Sequence, residues 1–146
     1  MRHWLIWLSV AVVLAVAGVW GGLALYRQAT YGPRHAEQDQ EVRVSAGDVF
    51  TLIVPDRGES IGDRWTASVS DEGVVSQAGS TLIADNLFDR WFGAGKGGGA
   101  GQRLITFRAK APGTAKVTLS NCFQGCDNER TRAESRSVSW NVTVVR

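Results

Sequence analysis

A chain of 146 residues with 16 Lys and Arg, 14 Asp and Glu, 17 Gly, three Pro and two Cys has room for one domain, which excludes a multidomain enzyme. Its 44% hydrophobic and 21% charged residues average over two unlike parts, because Trp4 to Tyr26 contains no charge at all. From Ala36 onward the chain holds all 14 acidic residues, and its positive excess comes from Arg2, Arg27 and Arg34 beside the apolar run. A nucleic-acid-binding domain carries a basic stripe on its folded part, so nucleic acid is not expected as a partner.

Residues 1–27 read as an N-terminal membrane anchor or signal segment. As a helix, Trp4 to Tyr26 reaches about 34 Å, enough for a hydrocarbon core of about 30 Å. Trp4, Trp7 and Tyr26 stand at its ends, where amphipathic rings favour the headgroup region. A cleaved signal peptide is the alternative, since Ala15-Val16-Ala17 before Gly18 has the small-residue spacing that a signal peptidase requires. Either way the domain is exported, tethered in the first case and secreted in the second. Residues 28–40 are mostly polar, contain the breaker Gly32-Pro33, and are expected to be a spacer. Cys122 and Cys126 lie in one loop, where an oxidising compartment lets them pair; two reduced thiols are the alternative. No His stands near them to complete a metal site.

Residues 41–146 alternate with period two. Phe50, Leu52 and Val54 form one such run, followed by Trp65, Ala67 and Val69, then by Ile105, Phe107 and Ala109. Ala115, Val117 and Leu119, and finally Val138, Trp140, Val142 and Val144, complete the set. Turn signals at Ala46-Gly47-Asp48, Asp56-Arg57-Gly58, Asp71-Glu72-Gly73 and Ala111-Pro112-Gly113 separate the runs. The pattern predicts an Ig-like antiparallel β-sandwich. Leu87, Phe88, Trp91 and Phe92 break it with helical spacing and predict one or two turns, which either cover one end of the sandwich or offer an aromatic contact.

The only histidines, His3 and His35, lie outside the predicted domain, which removes Ser-His and Cys-His catalysis from it. Asp63, Asp85 and Asp89 read as solvated loop charges, and no cofactor or metal is expected. Asn141-Val142-Thr143 matches the glycosylation pattern inside a strand and is taken as coincidence. Gly93 to Gln102, GAGKGGGAGQ, carries the strongest signal. Glycine there lets backbone approach another surface with its N–H and C=O groups free, whereas a phosphate cradle would need Lys then Ser or Thr where Gln102-Arg103 follows. A slack loop is the plainer account.

From Val42 to the C-terminus the chain resembles the chagasin family of cysteine-peptidase inhibitors. GAGQRLITFRAKAPGTAKVTL, Gly99 to Leu119, is similar to that family's glycine-rich loop, strand, Pro/Gly turn and next strand in order. Gly98, Gly99, Ala100, Gly101 and Gln102 lie on the family loop without a gap, and Gly93, Ala94 and Gly95 repeat its Gly-Ala-Gly. The first family loop, Asn-Pro-x-Thr-Gly before a Trp, falls on Gly58 to Trp65 and keeps Gly62 and Trp65. The third, Arg-Pro-Trp-x-Gly, falls on Asn121 to Gly125 and keeps an aromatic, Phe123, and the glycine.

The resemblance implies a non-enzymatic Ig-like domain that blocks a papain-like cysteine peptidase without covalent chemistry. Gly93 to Gln102 would enter the cleft, while Ser60, Ile61, Gly62 and Asp63 on one side and Asn121, Phe123, Gln124 and Gly125 on the other would grip its walls. Phe123 and Trp91 would be the anchors. A Cys122–Cys126 bridge would stiffen the third loop in place of the missing proline. The competing functional class is an Ig-like adhesion or assembly module.

Overall fold

The computed structural model describes residues 2–84 and 100–146, with side chains from residue 13 onward except those of residues 27, 29 and 84. Among the described residues, helix α1 (Arg2–Tyr31) leads into eight strands: β1 (Arg34–His35), β2 (Glu41–Ser45), β3 (Val49–Asp56), β4 (Trp65–Val69), β5 (Val75–Ala84), β6 (Gly101–Ala109), β7 (Gly113–Asn121) and β8 (Arg136–Val145). A 3-10 turn (Phe123–Gly125) and a short helix, α2 (Glu129–Ala133), join β7 to β8.

The strands form two four-stranded sheets, ordered β1-β3-β6-β5 and β2-β8-β7-β4. Each alternating run expected from the sequence is a strand with its apolar set turned inward, because a half-buried strand sends every second side chain to the core. Phe50, Leu52, Val54, Ile105, Phe107 and Ala109 of one sheet face Ala115, Val117, Leu119, Trp140, Val142 and Val144 of the other, all buried in one cluster. Phe50 and Phe107 are cross-strand partners whose stacked rings lie 5.6 Å apart.

The sandwich departs from the expected purely antiparallel form at two edges, where β1 pairs parallel with β3 and β2 pairs parallel with β8. Alternation reports which face a residue occupies and is silent about the direction of the neighbouring strand. Strand β5 was hidden for a local reason: a register shift between Gln77 and Gly79 breaks the period that would have announced it. The helical turns expected at Leu87, Phe88, Trp91 and Phe92 lie outside the described residues.

Residues 28–40 differ from a free spacer. They finish α1, supply β1 and are bonded to the sandwich along their length. Thr51 Oγ1 donates to the Tyr31 carbonyl at 2.6 Å, and Thr51 N donates to Pro33 O at 2.9 Å. Trp140 Nε1 donates to Ala36 O at 3.1 Å, and Arg136 holds the Glu37 carboxylate at 2.8 and 3.1 Å. Gly32 makes the close approach feasible: at φ 60°, a Cβ there would stand 1.7 Å from Val49 O. The stretch expected to be a spacer thus has main-chain carbonyls and the Glu37 carboxylate bonded to the sandwich. Among the described residues no helix is long and apolar enough to cross a membrane; the side chains of the first part of the apolar run, through Val12, lie outside them.

Candidate functional site

The last register pair of β3 and β6 is Asp56 with Gly101. This puts the root of the first predicted loop beside the base of the glycine-rich loop. Asp56 is buried and joins the two: it accepts from Gly58 N at 2.7 Å and from Arg103 Nε of β6. Arg103 also reaches Glu59 in the first loop at 3.3 Å. Beyond Asp56 the chain curls around the Gly58 carbonyl, which accepts from the N–H groups of Ile61, Gly62 and Asp63.

Asp63 closes this curl. Its carboxylate accepts from Arg57 N and Arg57 Nη2, each at 2.8 Å, from Arg57 Nε, and from Asn121 Nδ2 at 2.9 Å. Burial by itself would raise its pKa, but the hydrogen bonds from Arg57 and Asn121 outweigh it and lower the group to about 2. Hydrogen bonds to Asp63 and then to Glu134 push Arg57 above its ordinary value. A carboxylate held ionised in this way is a structural tie rather than a proton carrier.

Arg57 binds the first loop to the third. Its Nη1 donates to Glu134 at 2.9 Å, and its guanidinium lies 4.2 Å from the centroid of the Phe123 ring. The short helix α2 sets Glu134 in reach, and its own start is fixed by Asn128, whose Oδ1 accepts from Thr131 N at 2.9 Å. The neighbouring Ser135 Oγ accepts from Phe123 N at 2.9 Å.

The third loop is clamped to the first by main chain as well. Cys122 N donates to Arg64 O at 2.9 Å, and Arg64 N donates to Asn121 Oδ1, also at 2.9 Å. Gln124 N donates to Gly62 O at 2.8 Å, and its Nε2 donates to Ile61 O at 3.2 Å. Gly62 is required at this crossing: its φ is 112°, and a Cβ would come within 2.5 Å of Gln124 Cγ. Gln124 and Cys126 are non-glycine residues with positive φ, 45° and 53°. Such conformations persist only where the surroundings over-determine them. Here the segment lies inside the disulfide between Cys122 and Cys126, whose Cα atoms are 5.4 Å apart, and is held by the Gln124 bonds to Ile61 and Gly62 and by Cys126 N donating to Phe123 O at 3.0 Å.

A cavity of about 430 Å³ opens among these elements, lined by Asp56, Arg57 and Asp63, by Ala100 and Gly101 at the base of the glycine-rich loop, and by Asn121. The described parts of the three loops therefore share one end of the sandwich. Ser60, Ile61, Gln124 and Gly125 are exposed there, as are Ala100 and Gln102, while Gly62 is half-buried and Gly101 buried. Asp63 and Asn121 are buried and brace the loops. Phe123, expected as an anchor, is 7% exposed and has the Arg57 guanidinium over its ring. Trp91, Gly93, Ala94, Gly95, Gly98 and Gly99 lie outside the described residues, as do Asp85 and Asp89. Sequence reasoning missed Asp56, Arg57, Arg103 and Glu134, whose partners are assembled by the fold from distant segments; Arg57 and Asp63, six residues apart, carried no signal beyond opposite charge.

This geometry agrees with the comparisons to known proteins. The model of the chagasin family of peptidase inhibitors, I42, matches residues 43–144, and the chain belongs to that family. Its members are inhibitors, not enzymes. The chain is similar to the crystal structure of the cysteine protease inhibitor EhICP2 from Entamoeba histolytica, with 16% identity and a TM-score of 0.58 over 77% of this chain and 95% of that one. The solution structure of Amebosin is similar too, at 17% identity and a TM-score of 0.54, covering 77% and 96% of the two chains. At these identities the likeness to both is one of fold. No curated protein matches the chain.

Proposed function

We propose that this protein inhibits papain-like cysteine peptidases by occupying the active-site cleft non-covalently with three loops. The observation that carries the reading is the tied loop pair. Gln124 bonds to Ile61 and Gly62, and Asp63 bonds to Arg57 and Asn121, so the first and third loops present a braced pair of walls beside the base of the glycine-rich loop. Bracing before contact lowers the ordering cost of binding. The glycine-rich segment, Gly93 to Gln102, supplies the backbone that enters the cleft.

We further propose that residues 1–27 export the domain, as a retained anchor or a cleaved signal. The charge-free run and the exposure of Val13, Leu14, Val16, Val19, Leu23 and Leu25 on α1 support a lipid-facing segment. The end of α1 bonds to Thr51 near the start of β3, and the loops begin at Asp56 where β3 ends. In an anchored chain the inhibitory end would thus stand away from the bilayer. Sequencing the N-terminus of the mature protein separates an intact anchor from cleavage after Ala17.

The test of the inhibitory reading is titration of papain and a cathepsin-type enzyme, each activated and then freed of thiol, with the full chain purified oxidised in mild detergent. Saturable, reversible loss of peptidase activity that disappears when Gly93 to Gln102 is replaced by a short hairpin is the expected result. Full peptidase activity at high concentrations of folded protein would reject it in favour of an adhesion or assembly role.

A further inference from the structure

We infer that Ile61 is the apolar contact by which this inhibitor selects its peptidase, and that the partner presents an apolar subsite on the rim of its cleft. The inference rests on the inhibitory reading above and names the chemistry of the partner.

Among the described residues, Ile61 is the one large hydrophobic side chain outside α1 that stands exposed, at 49%. The described strands bury or half-bury their large apolar groups, so Ile61 is the large apolar side chain that this end of the sandwich leaves open to a partner. Its position is fixed from both sides. Ile61 N donates to Gly58 O at 3.1 Å, Ile61 O accepts from Gln124 Nε2, and the adjoining Gly62 carbonyl accepts from Gln124 N. A β-branched side chain on a backbone held this way has little freedom left to lose on docking.

The surroundings fit the same role. Glu59, with a side chain 77% exposed, and Arg64 flank the loop on either side of Ile61. An apolar centre within a charged rim is the arrangement in which buried contacts dominate affinity while the rim steers the encounter. Phe123, the aromatic expected from the sequence, is covered by Arg57 and does not compete for the role. A polar or charged rim on the peptidase would leave Ile61 facing water or would bury an unpaired charge against it, so the residue discriminates between peptidases as well as binding them.

The test uses the full oxidised chain in detergent with Ile61→Leu, Ile61→Ala and Ile61→Asp, titrated against papain and a cathepsin-type enzyme, with thermal melting of each variant. Removing the side chain to Ala is expected to raise the inhibition constant about tenfold, and placing Asp there to raise it about a hundredfold. Leu should retain inhibition, and the loss should differ between the two enzymes. Melting temperatures should stay within about 2 °C of the parent, since surface substitutions change stability little. If Ile61→Asp lowers the melting temperature, the Leu and Ala variants carry the comparison. A parent that inhibits while Ile61→Ala and Ile61→Asp inhibit equally well overturns the inference and leaves the inhibitory reading standing. Equal losses against both enzymes remove the selective role. A parent that inhibits neither enzyme overturns the inhibitory reading, and this inference with it.

Discussion

Replacing Asp63 with Asn should loosen the loop end. The lowering of the Asp63 pKa from 3.8 to about 2 corresponds to about 2 kcal/mol of stabilisation at neutral pH. Asn removes that charge and also turns an amide N–H₂ toward groups that are all donors: Arg57 N, Arg57 Nε, Arg57 Nη2 and Asn121 Nδ2. A frustrated buried donor adds on the order of 1 kcal/mol. Arg57 is 43% exposed and regains water, which limits the loss to about 3 kcal/mol in all. For a domain of this size that lowers Tm by about 15 °C.

The pH dependence follows from the direction of the shift. Because the folded pKa is depressed, the stabilisation is fully present above the unfolded value near 4 and disappears as pH falls through about 2. Near-UV circular dichroism of the buried Trp65 and Trp140 would follow melting of both proteins from pH 7 to pH 2. The gap in Tm should be constant down to about pH 5 and shrink between pH 4 and pH 2. Equal melting at pH 7, or a gap unchanged at pH 2, would refute the reasoning.

Two further changes probe the clamp between the loops. Gly62→Ala must strain φ at 112° and push Gln124 aside; a loss of about 2 kcal/mol is expected, read from the urea midpoint, together with weakened peptidase inhibition. The double variant Cys122→Ser and Cys126→Ser opens a bridge that spans a sequence separation of 4, worth at most about 2 kcal/mol. Its larger effect should be on inhibition, because the left-handed Gln124 and Cys126 are then free to relax and release Ile61; a parent and double variant with equal inhibition constants would show that the bridge does not set the loop.

Strand identity was readable wherever one face of a strand is buried, because burial imposes a period of two on the residues themselves: Phe50, Leu52 and Val54, and Val138, Trp140, Val142 and Val144, declared their faces without a structure. The same logic failed at β5, where the bulge after Gln77 breaks the period, and at α2, five residues too short to show one. The chain order of the loops and the proximity of Cys122 to Cys126 were equally visible, being local.

Composition and periodicity thus determined a small β-sandwich behind an apolar segment, and motif order pointed to the inhibitor family. Only the tertiary structure decided the roles inside the loops. It buried Phe123 beneath Arg57, left Ile61 in water, spent Asp63 on a tie and bound residues 31–40 to the sandwich. Each of these depends on which distant backbone segment arrives beside a side chain, and that is set by how two sheets pack and which strands neighbour each other. A period along the chain records whether a residue faces inward, and the partner waiting there is chosen in three dimensions.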